Sequence, residues 1–275
     1  MSRAAREYVV LVSSLPDTDY RNLLVTRGGS AARIVLNRPD KRNALSLELM
    51  EEMIAAVREV SAWRDTRAIV IEGAGPAFSA GHDLSEMIGR DGEFLTHLFD
   101  RCSVTMETLH EVPQPVIAKV HGIATAAGCQ LVAACDLAVA AEGTRFATPG
   151  VKIGLFCSTP MVPVSRAVGR KRAMQMLLTG EPINAATALD WGLINRVAPH
   201  EELEAAVVEL VDAIARSSAY TVATGKQAFY SQIDRAEHEA YEHCELVMTE
   251  NTLAHDAQEG MTAFLEKRDP VWRGD

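Results

Sequence analysis

Two short stretches of small residues carry the chemistry open to this sequence. Ala77-Phe78-Ser79-Ala80-Gly81-His82-Asp83 follows a brief apolar run, and Thr125-Ala126-Ala127-Gly128-Cys129-Gln130 passes through tiny residues towards a helix. Small side chains leave backbone N–H groups accessible. The first N–H groups of a helix have no internal partner and sit at its positive end. Two such loops converging on one oxygen form an oxyanion hole, suited to a carbonyl that becomes an enolate or a tetrahedral anion. From spacing alone, two tight turns with close backbone packing are the simpler reading. The first loop also contains the residue types of a serine-hydrolase relay, Ser79, His82 and Asp83. Near-adjacent residues do not easily form that relay, and the first glycine of a nucleophile elbow is missing.

The elements that must position these loops alternate between strand and helix. A hairpin is expected from Asn22–Thr26 and Ala32–Leu36 around Gly28-Gly29-Ser30, ending at Pro39, which cannot donate to a ladder. Ser46–Ala62 has the apolar spacing of an amphipathic helix, with Met50, Met53, Ile54, Val57 and Val60 on one face. Ala68–Glu72, Val116–Val120 and Leu137–Ala141 are apolar runs of buried-strand type. Helices are expected at Glu93–His110 and from near Gly128 towards Cys135, with Gly122–Gly128 a small-residue turn. From Pro160 onwards the pattern is mostly helical, with an extended piece at Ile194–Val197. Strands joined by helices imply parallel pairing, so the fold class is α/β with a helical last third.

Composition narrows the function. Apolar residues are 48% and charged residues 23% of 275, the mix of a globular chain. A net charge of −10 opposes binding to a polyphosphate backbone, so no nucleic-acid partner is expected. No apolar run reaches the length of a membrane span. Residues 1–19 are expected to form a loose arm, and its Tyr8–Val12 patch is too short for a signal peptide. Five cysteines without a CxxC pair point to free thiols in a reducing cytoplasm and argue against structural zinc; no metal ligands are assigned.

Several segments, in order, resemble the crotonase superfamily, the enoyl-CoA hydratase/isomerase family. They are Asn37-Arg38-Pro39-Asp40-Lys41-Arg42-Asn43-Ala44-Leu45, Ala77–Leu84, Pro115–Gly122, Ala126–Leu131, Cys135-Asp136-Leu137 and Leu178-Thr179-Gly180-Glu181. Jointly they are specific, though each alone is weak. The resemblance implies a spiral of ββα units over residues 20–200 carrying the thioester site. It also implies a helical region over 201–275 that assembles trimers, often as a dimer of trimers. It implies a lyase of fatty acid metabolism whose ligand is an acyl-CoA or enoyl-CoA thioester, with CoA as part of the substrate and no permanent cofactor. The oxyanion-hole amides then fall on Ser79 and Ala127. Contacts to adenine fall on Ala80, Asp83 and Leu84, and those to pantetheine near Arg42 and Ala44. The helical tail around Phe264 and Lys267 resembles the part that closes a neighbour's CoA site. Lys41, Arg42, Lys267 and Arg268 are the candidate phosphate partners.

The catalytic acids depart from the family pattern. The two glutamates that hold water in hydratases correspond to Gln130 and Gly150 here. Glutamine only orients a water, glycine offers nothing, and a general acid or base is worth about 10²–10⁴-fold. Efficient hydration is therefore not expected. The alternatives are another CoA-thioester reaction (isomerisation, decarboxylation or thioester hydrolysis) or non-catalytic acyl-CoA binding. Cys157 is read as pocket lining and Cys129 as core. His82 and His121 are read as hydrogen-bonded or exposed loop residues, and Asp83 and Asp136 as anchors for backbone amides.

Overall fold

The computed structural model describes residues 19–275, so the arm expected at 1–19 lies almost wholly outside the described residues. Strands β1 (Leu23–Gly28) and β2 (Ala31–Leu36) form the expected hairpin, antiparallel with Leu23 opposite Leu36. Helix α1 (Leu47–Ser61) starts where the Ser46 hydroxyl accepts the Leu49 amide, and the glutamates of its first turns suit the positive end of the dipole. Then follow β3 (Ala68–Gly73), α2 (Gly92–Glu111) and β4 (Val116–Val120). The site-bearing stretch contains β5 (Ile123–Thr125), α3 (Ala127–Ala134), β6 (Leu137–Ala141) and β7 (Arg145–Ala147).

Helices α4 (Met161–Val168) and α5 (Arg170–Thr179), strand β8 (Ile183–Asn184), helix α6 (Ala185–Trp191) and strand β9 (Arg196–Ala198) lead to the tail. The tail comprises α7 (Leu203–Ala215), α8 (Ala219–Gln232), α9 (Glu237–Leu253) and α10 (His255–Glu266).

The main sheet has the order β1-β2-β3-β4-β6-β9 and is parallel after its first pair. Successive residues of β3 point to opposite faces. Ile69 and Ile71 join the large core under α1 and α2, whereas Ala68 and Val70 pack with Val207 and Val211 of α7. Burial on both faces is why these strands read as unbroken apolar runs. Helix α7 therefore belongs to the sheet's own core, so the tail expected to begin at residue 201 separates from the core only after it. Arg33, Glu72 and Lys119 cross the sheet beneath α7. Lys119 Nζ bonds Glu72 at 2.8 Å and Glu204 of α7 at 2.6 Å, and Arg33 also pairs with Glu204.

A second, three-stranded sheet, β5-β7-β8, was not foreseen. Its strands have three residues or fewer. Periodicity has nothing to act on at that length, so a run of small residues reads as a turn. Asp136 anchors backbone as expected: it accepts the Val116 amide at 2.6 Å, the Tyr230 hydroxyl at 2.7 Å and the buried Lys226 ammonium at 2.7 Å.

The last residues are tied down by one buried carboxylate. Asp256 accepts the Ser218 hydroxyl that caps α8 at 2.6 Å, and the amides of Arg273 at 2.7 Å and Gly274 at 2.9 Å. Burial alone would raise its pKa. The Arg273 amide, the Ser218 hydroxyl and the Gly274 amide outweigh it and hold the group down at about 2. A carboxylate depressed in the folded state contributes stability above its unfolded value, 3.8, and loses it as pH falls towards 2. Acidification through that window is expected to release the C-terminal segment. Trp272, whose indole donates to the Arg216 carbonyl at 2.8 Å, reports this by fluorescence; an Asp256→Asn variant should lose the transition.

Candidate active site

The two small-residue loops lie side by side, held by backbone pairing. Phe78 N–H donates to the His121 carbonyl at 3.0 Å, and Ser79 N–H to the Ile123 carbonyl at 3.2 Å; Thr125 N–H returns to the Ser79 carbonyl at 3.0 Å. On its other flank the first loop pairs with residues 42–45. Ala80 N–H donates to the Arg42 carbonyl, Leu45 N–H to the Gly81 carbonyl at 2.7 Å, and Asp83 N–H to the Leu45 carbonyl at 3.1 Å. Asn43, fully buried, bridges both sides: its Nδ2 donates to the carbonyls of Ala74 and Ala77 at 2.8 Å each.

Missing Cβ atoms allow the loops to meet. A Cβ on Gly128 would lie 2.3 Å from the Ser79 carbonyl oxygen. One on Gly81, at φ +91°, would lie 2.8 Å from the Ala126 Cβ and 3.2 Å from the Ala127 nitrogen. Ala126 itself takes φ +50°, ψ −119°, an unfavourable conformation for a residue with a Cβ, where the chain turns into α3.

This pairing corrects the assignment of the first oxyanion-hole amide. Ser79 N–H is engaged by Ile123, and the Ser79 hydroxyl donates to the Asn43 carbonyl at 2.8 Å, so neither group is available to a ligand. Through the rest of the loop, Ala80 and Asp83 are engaged as above and Gly81 N–H points to Ser79 Oγ at 3.3 Å. Beyond Ser79, the loop amide with no acceptor among the described residues is that of His82. Opposite it, Ala126 N–H is taken by Ala147. The first intrahelical bond of α3 runs from Gln130 to Ala126, which leaves Ala127 N–H unpaired beside Gly81.

The other expected residues fall into two groups. Arg42, Ala44, Ala80, Asp83 and Leu84 come together through the pairing of residues 42–45 with 80–83. Asp83 is an anchor, as expected. It accepts the Ser85 hydroxyl at 2.6 Å and Arg38 at 2.9 Å, and these partners, Ser85 first, hold its pKa below the usual carboxylate value. Phe264 and Lys267 stand apart at the end of α10, which packs on α8 and α9. Arg268 is held by Glu259 and Glu266 at 2.6 and 2.7 Å and so is not an unpaired phosphate ligand.

The positions of the missing glutamates differ in character. Gln130 is buried on α3, and its Oε1 lies 3.7 Å from the Cys102 thiol of α2. Gly150, in the single turn Pro149–Ile153 after β7, has no room for a side chain. A Cβ there would lie 2.0 Å from the Leu155 carbonyl oxygen and 2.9 Å from Cys157 Sγ. No thiolate replaces the acids. Burial pushes the Cys102 and Cys129 thiols up to about 12 and raises that of Cys157 as well. Cys129 is core, as expected, and Cys157 is buried in the same core cluster. His121 bonds the Gly75 carbonyl at 2.8 Å, also as expected.

His82 departs from its expectation. Both ring nitrogens are buried and neither makes a hydrogen bond of good geometry, although the Leu45 backbone acts on the ring; the ring sits edge-on to Phe99 at 5.6 Å. Burial lowers its pKa, only partly offset by the Leu45 backbone, so the ring is neutral at pH 7. A lone histidine in a small-residue loop gives no sign of this in the sequence.

The parallel sheet, the short second sheet and the paired loops define a crotonase fold. The chain belongs to the enoyl-CoA hydratase/isomerase family, which it matches over residues 26–275. It is similar to the mitochondrial enoyl-CoA hydratase domain-containing protein 3 of Rattus norvegicus, at 44% identity over 94% of this chain and 86% of the relative. It is likewise similar to that of Homo sapiens, at 46% over 87% and 79%. The crystal structure of the human protein superposes with a TM-score of 0.89 at 44% identity, covering 92% of this chain and 100% of that one. The crystal structure of an enoyl-CoA hydratase from Mycobacterium smegmatis does so with 0.89 at 45%, covering 91% and 98%. These relatives correct the expectation of a cytoplasmic protein: several at 44–46% identity carry mitochondrial names. Free thiols distinguish reducing from oxidising surroundings, not one reducing compartment from another.

Introducing the missing acid should not install hydration. Gly150→Glu is expected to destabilise the protein by about 1–3 kcal/mol through overpacking against Leu155, measured by urea denaturation, and to leave enoyl-CoA hydration no faster than before.

Proposed function

We propose that the chain binds acyl-CoA thioesters with the thioester oxygen between the amide N–H groups of His82 and Ala127. The observation that carries this reading is that these two amides, from two loops pressed together at Gly81 and Gly128, lack acceptors. Two oriented donors in a dry site stabilise an enolate or a tetrahedral anion at that oxygen without reorganisation. Arg42, Ala44, Ala80, Asp83 and Leu84 then line the CoA moiety, and Gln130 orients the acyl group or a water. The core over residues 20–200, together with α7 on its sheet, holds the site, and the helices after α7 assemble the protein and cover it.

Assembly as a trimer or a dimer of trimers is part of the same proposal. Tyr241, Leu246, Met248 and Leu253 of α9, with Phe264 and Leu265 of α10, are more than 60% exposed on the isolated chain. Apolar side chains grouped on two consecutive helices are suited to cover by neighbouring copies. Phe264 and Lys267, remote from their own loops, are then placed to close a neighbour's CoA site. Sedimentation should give three or six times 29.9 kDa.

Hydration by two carboxylates is not the reaction, because Gln130 does not titrate and the Gly150 position is filled by Leu155. The same observation favours a second reading: another CoA-thioester reaction (isomerisation, decarboxylation or thioester hydrolysis), or binding without turnover. Short and medium trans-2-enoyl-CoAs should lose their enoyl absorbance slowly or not at all, while CoA thioesters still bind. Turnover at hydratase rates would overturn the exclusion. Ala127→Pro removes one donor at a helix position that tolerates proline. It should lower any thioester turnover by about 10²–10³-fold, or weaken binding of enolate-like analogues, with helical content unchanged.

A further inference from the structure

The His82 amide serves as an oxyanion donor only while its direction is fixed, and one side chain outside the two loops has the reach to fix it. Leu45 and His82 form a parallel bridge. In such a pair Leu45 bonds the residues on either side of its partner, the Gly81 carbonyl and the Asp83 amide. The N–H of His82 itself therefore points to the opposite flank, where the second loop lies. Two hydrogen bonds make a bridge, not a ladder, and a loop peptide turns about it unless both ends are tied. Arg38 ties them. Its Nη1 donates to the Ala44 carbonyl at 2.5 Å and its Nη2 to Asp83 Oδ2 at 2.9 Å. One arm of the fork holds the residue before Leu45, and the other holds the residue after His82.

The clamp is itself held. The Arg38 amide donates to Asn43 Oδ1 and its carbonyl accepts the Asn43 amide, each at 2.9 Å, and Asn43 is fully buried. Arg42 and Asn43 both take left-handed φ, +49° and +53°, so the chain turns sharply between Arg38 and Ala44. The second Asp83 oxygen accepts the Ser85 hydroxyl at 2.6 Å and the Ser85 amide at 3.2 Å, which fixes the carboxylate from both sides. The side chains of Arg38 and Asp83 are only 18% and 9% exposed, so solvent screens their attraction little. We propose that Arg38 is a positioning residue: by joining Ala44 to Asp83 it aims the His82 N–H at the thioester oxygen, without itself meeting the ligand. This rests on the acyl-CoA reading above. A donor aimed in advance polarises the carbonyl with no reorganisation, so loosening the clamp costs polarisation more than occupancy. Lysine carries the same charge as a point rather than a fork, and reaches one partner at a time.

The test uses the full chain with 4-(dimethylamino)cinnamoyl-CoA, whose absorption moves to longer wavelength as its thioester carbonyl is polarised. The band is read at saturation and below the unfolding temperature of each variant. The wild type should shift it to the red. Arg38→Met should bind the probe and lose at least half of that shift, and Arg38→Lys should keep an intermediate share. Arg33→Met, which breaks an ion pair beneath α7 and outside the loops, should melt lower than the wild type yet keep the full shift. A full shift in folded Arg38→Met, or equal losses in Arg38→Met and Arg33→Met, would assign Arg38 to stability alone. That result would overturn the inference and leave the acyl-CoA reading intact. A folded Arg38→Met protein that takes up no probe would make Arg38 a determinant of binding rather than of aim, and would also overturn it. If Arg38→Met does not fold, Arg38→Lys decides on the same readout, and failure of both to fold overturns the inference. A wild type that binds no probe, or binds it without a shift, would overturn the acyl-CoA reading together with the inference.

Discussion

The architecture depends on the contact between two backbones at Gly81 and Gly128. Each glycine faces atoms of the opposite loop at distances no Cβ could occupy. Because the loops touch there, the carbonyls and amides of residues 78–83 are divided between two neighbours, residues 121–125 on one flank and 42–45 on the other. That division decides which N–H groups are engaged and which remain. Asn43 and Ser79 hold the junction from beneath through bonds to main-chain carbonyls, so the site is built on buried polar groups that are almost fully satisfied. Preorganisation of this kind requires rigid surroundings, which the double-sided core of the main sheet and α7 supply.

Much of the scaffold was legible in the sequence because its signals are local. The hairpin announces itself through two glycines between apolar runs. Helix α1 does so through regular apolar spacing, and β3, β4 and β6 through uninterrupted apolar residues. The three strands of the small sheet were not legible, because two or three residues carry no period and their pairing is set by distant partners. The fate of α7 was hidden for a similar reason. Its amphipathic pattern says that one face is covered, not whether by its own sheet or by another copy.

The site divides in the same way. Its two loops were visible as runs of small residues, and the loss of both acids was visible at Gln130 and Gly150. The donor on the first loop was misplaced by three positions. Residue type says little about backbone amides; what matters is the neighbour each amide meets, and Ile123 meets Ser79 across a bridge between segments 44 residues apart. The burial of the His82 ring was beyond reach of the sequence, since the same histidine on a solvated loop would look identical.

The occupied space beside Gly150 also bears on evolutionary history. Were a glutamate once present there, its loss would have been reversible only while the neighbouring loop stayed back. With the Leu155 carbonyl now 2.0 Å from where a side chain would begin, a single codon change back to an acid meets a steric barrier before it meets selection for activity. An acid at position 150 and the present loop are in steric conflict, so their effects are expected not to add. Restoring a carboxylate there requires the loop to move back first, a step with no catalytic benefit of its own.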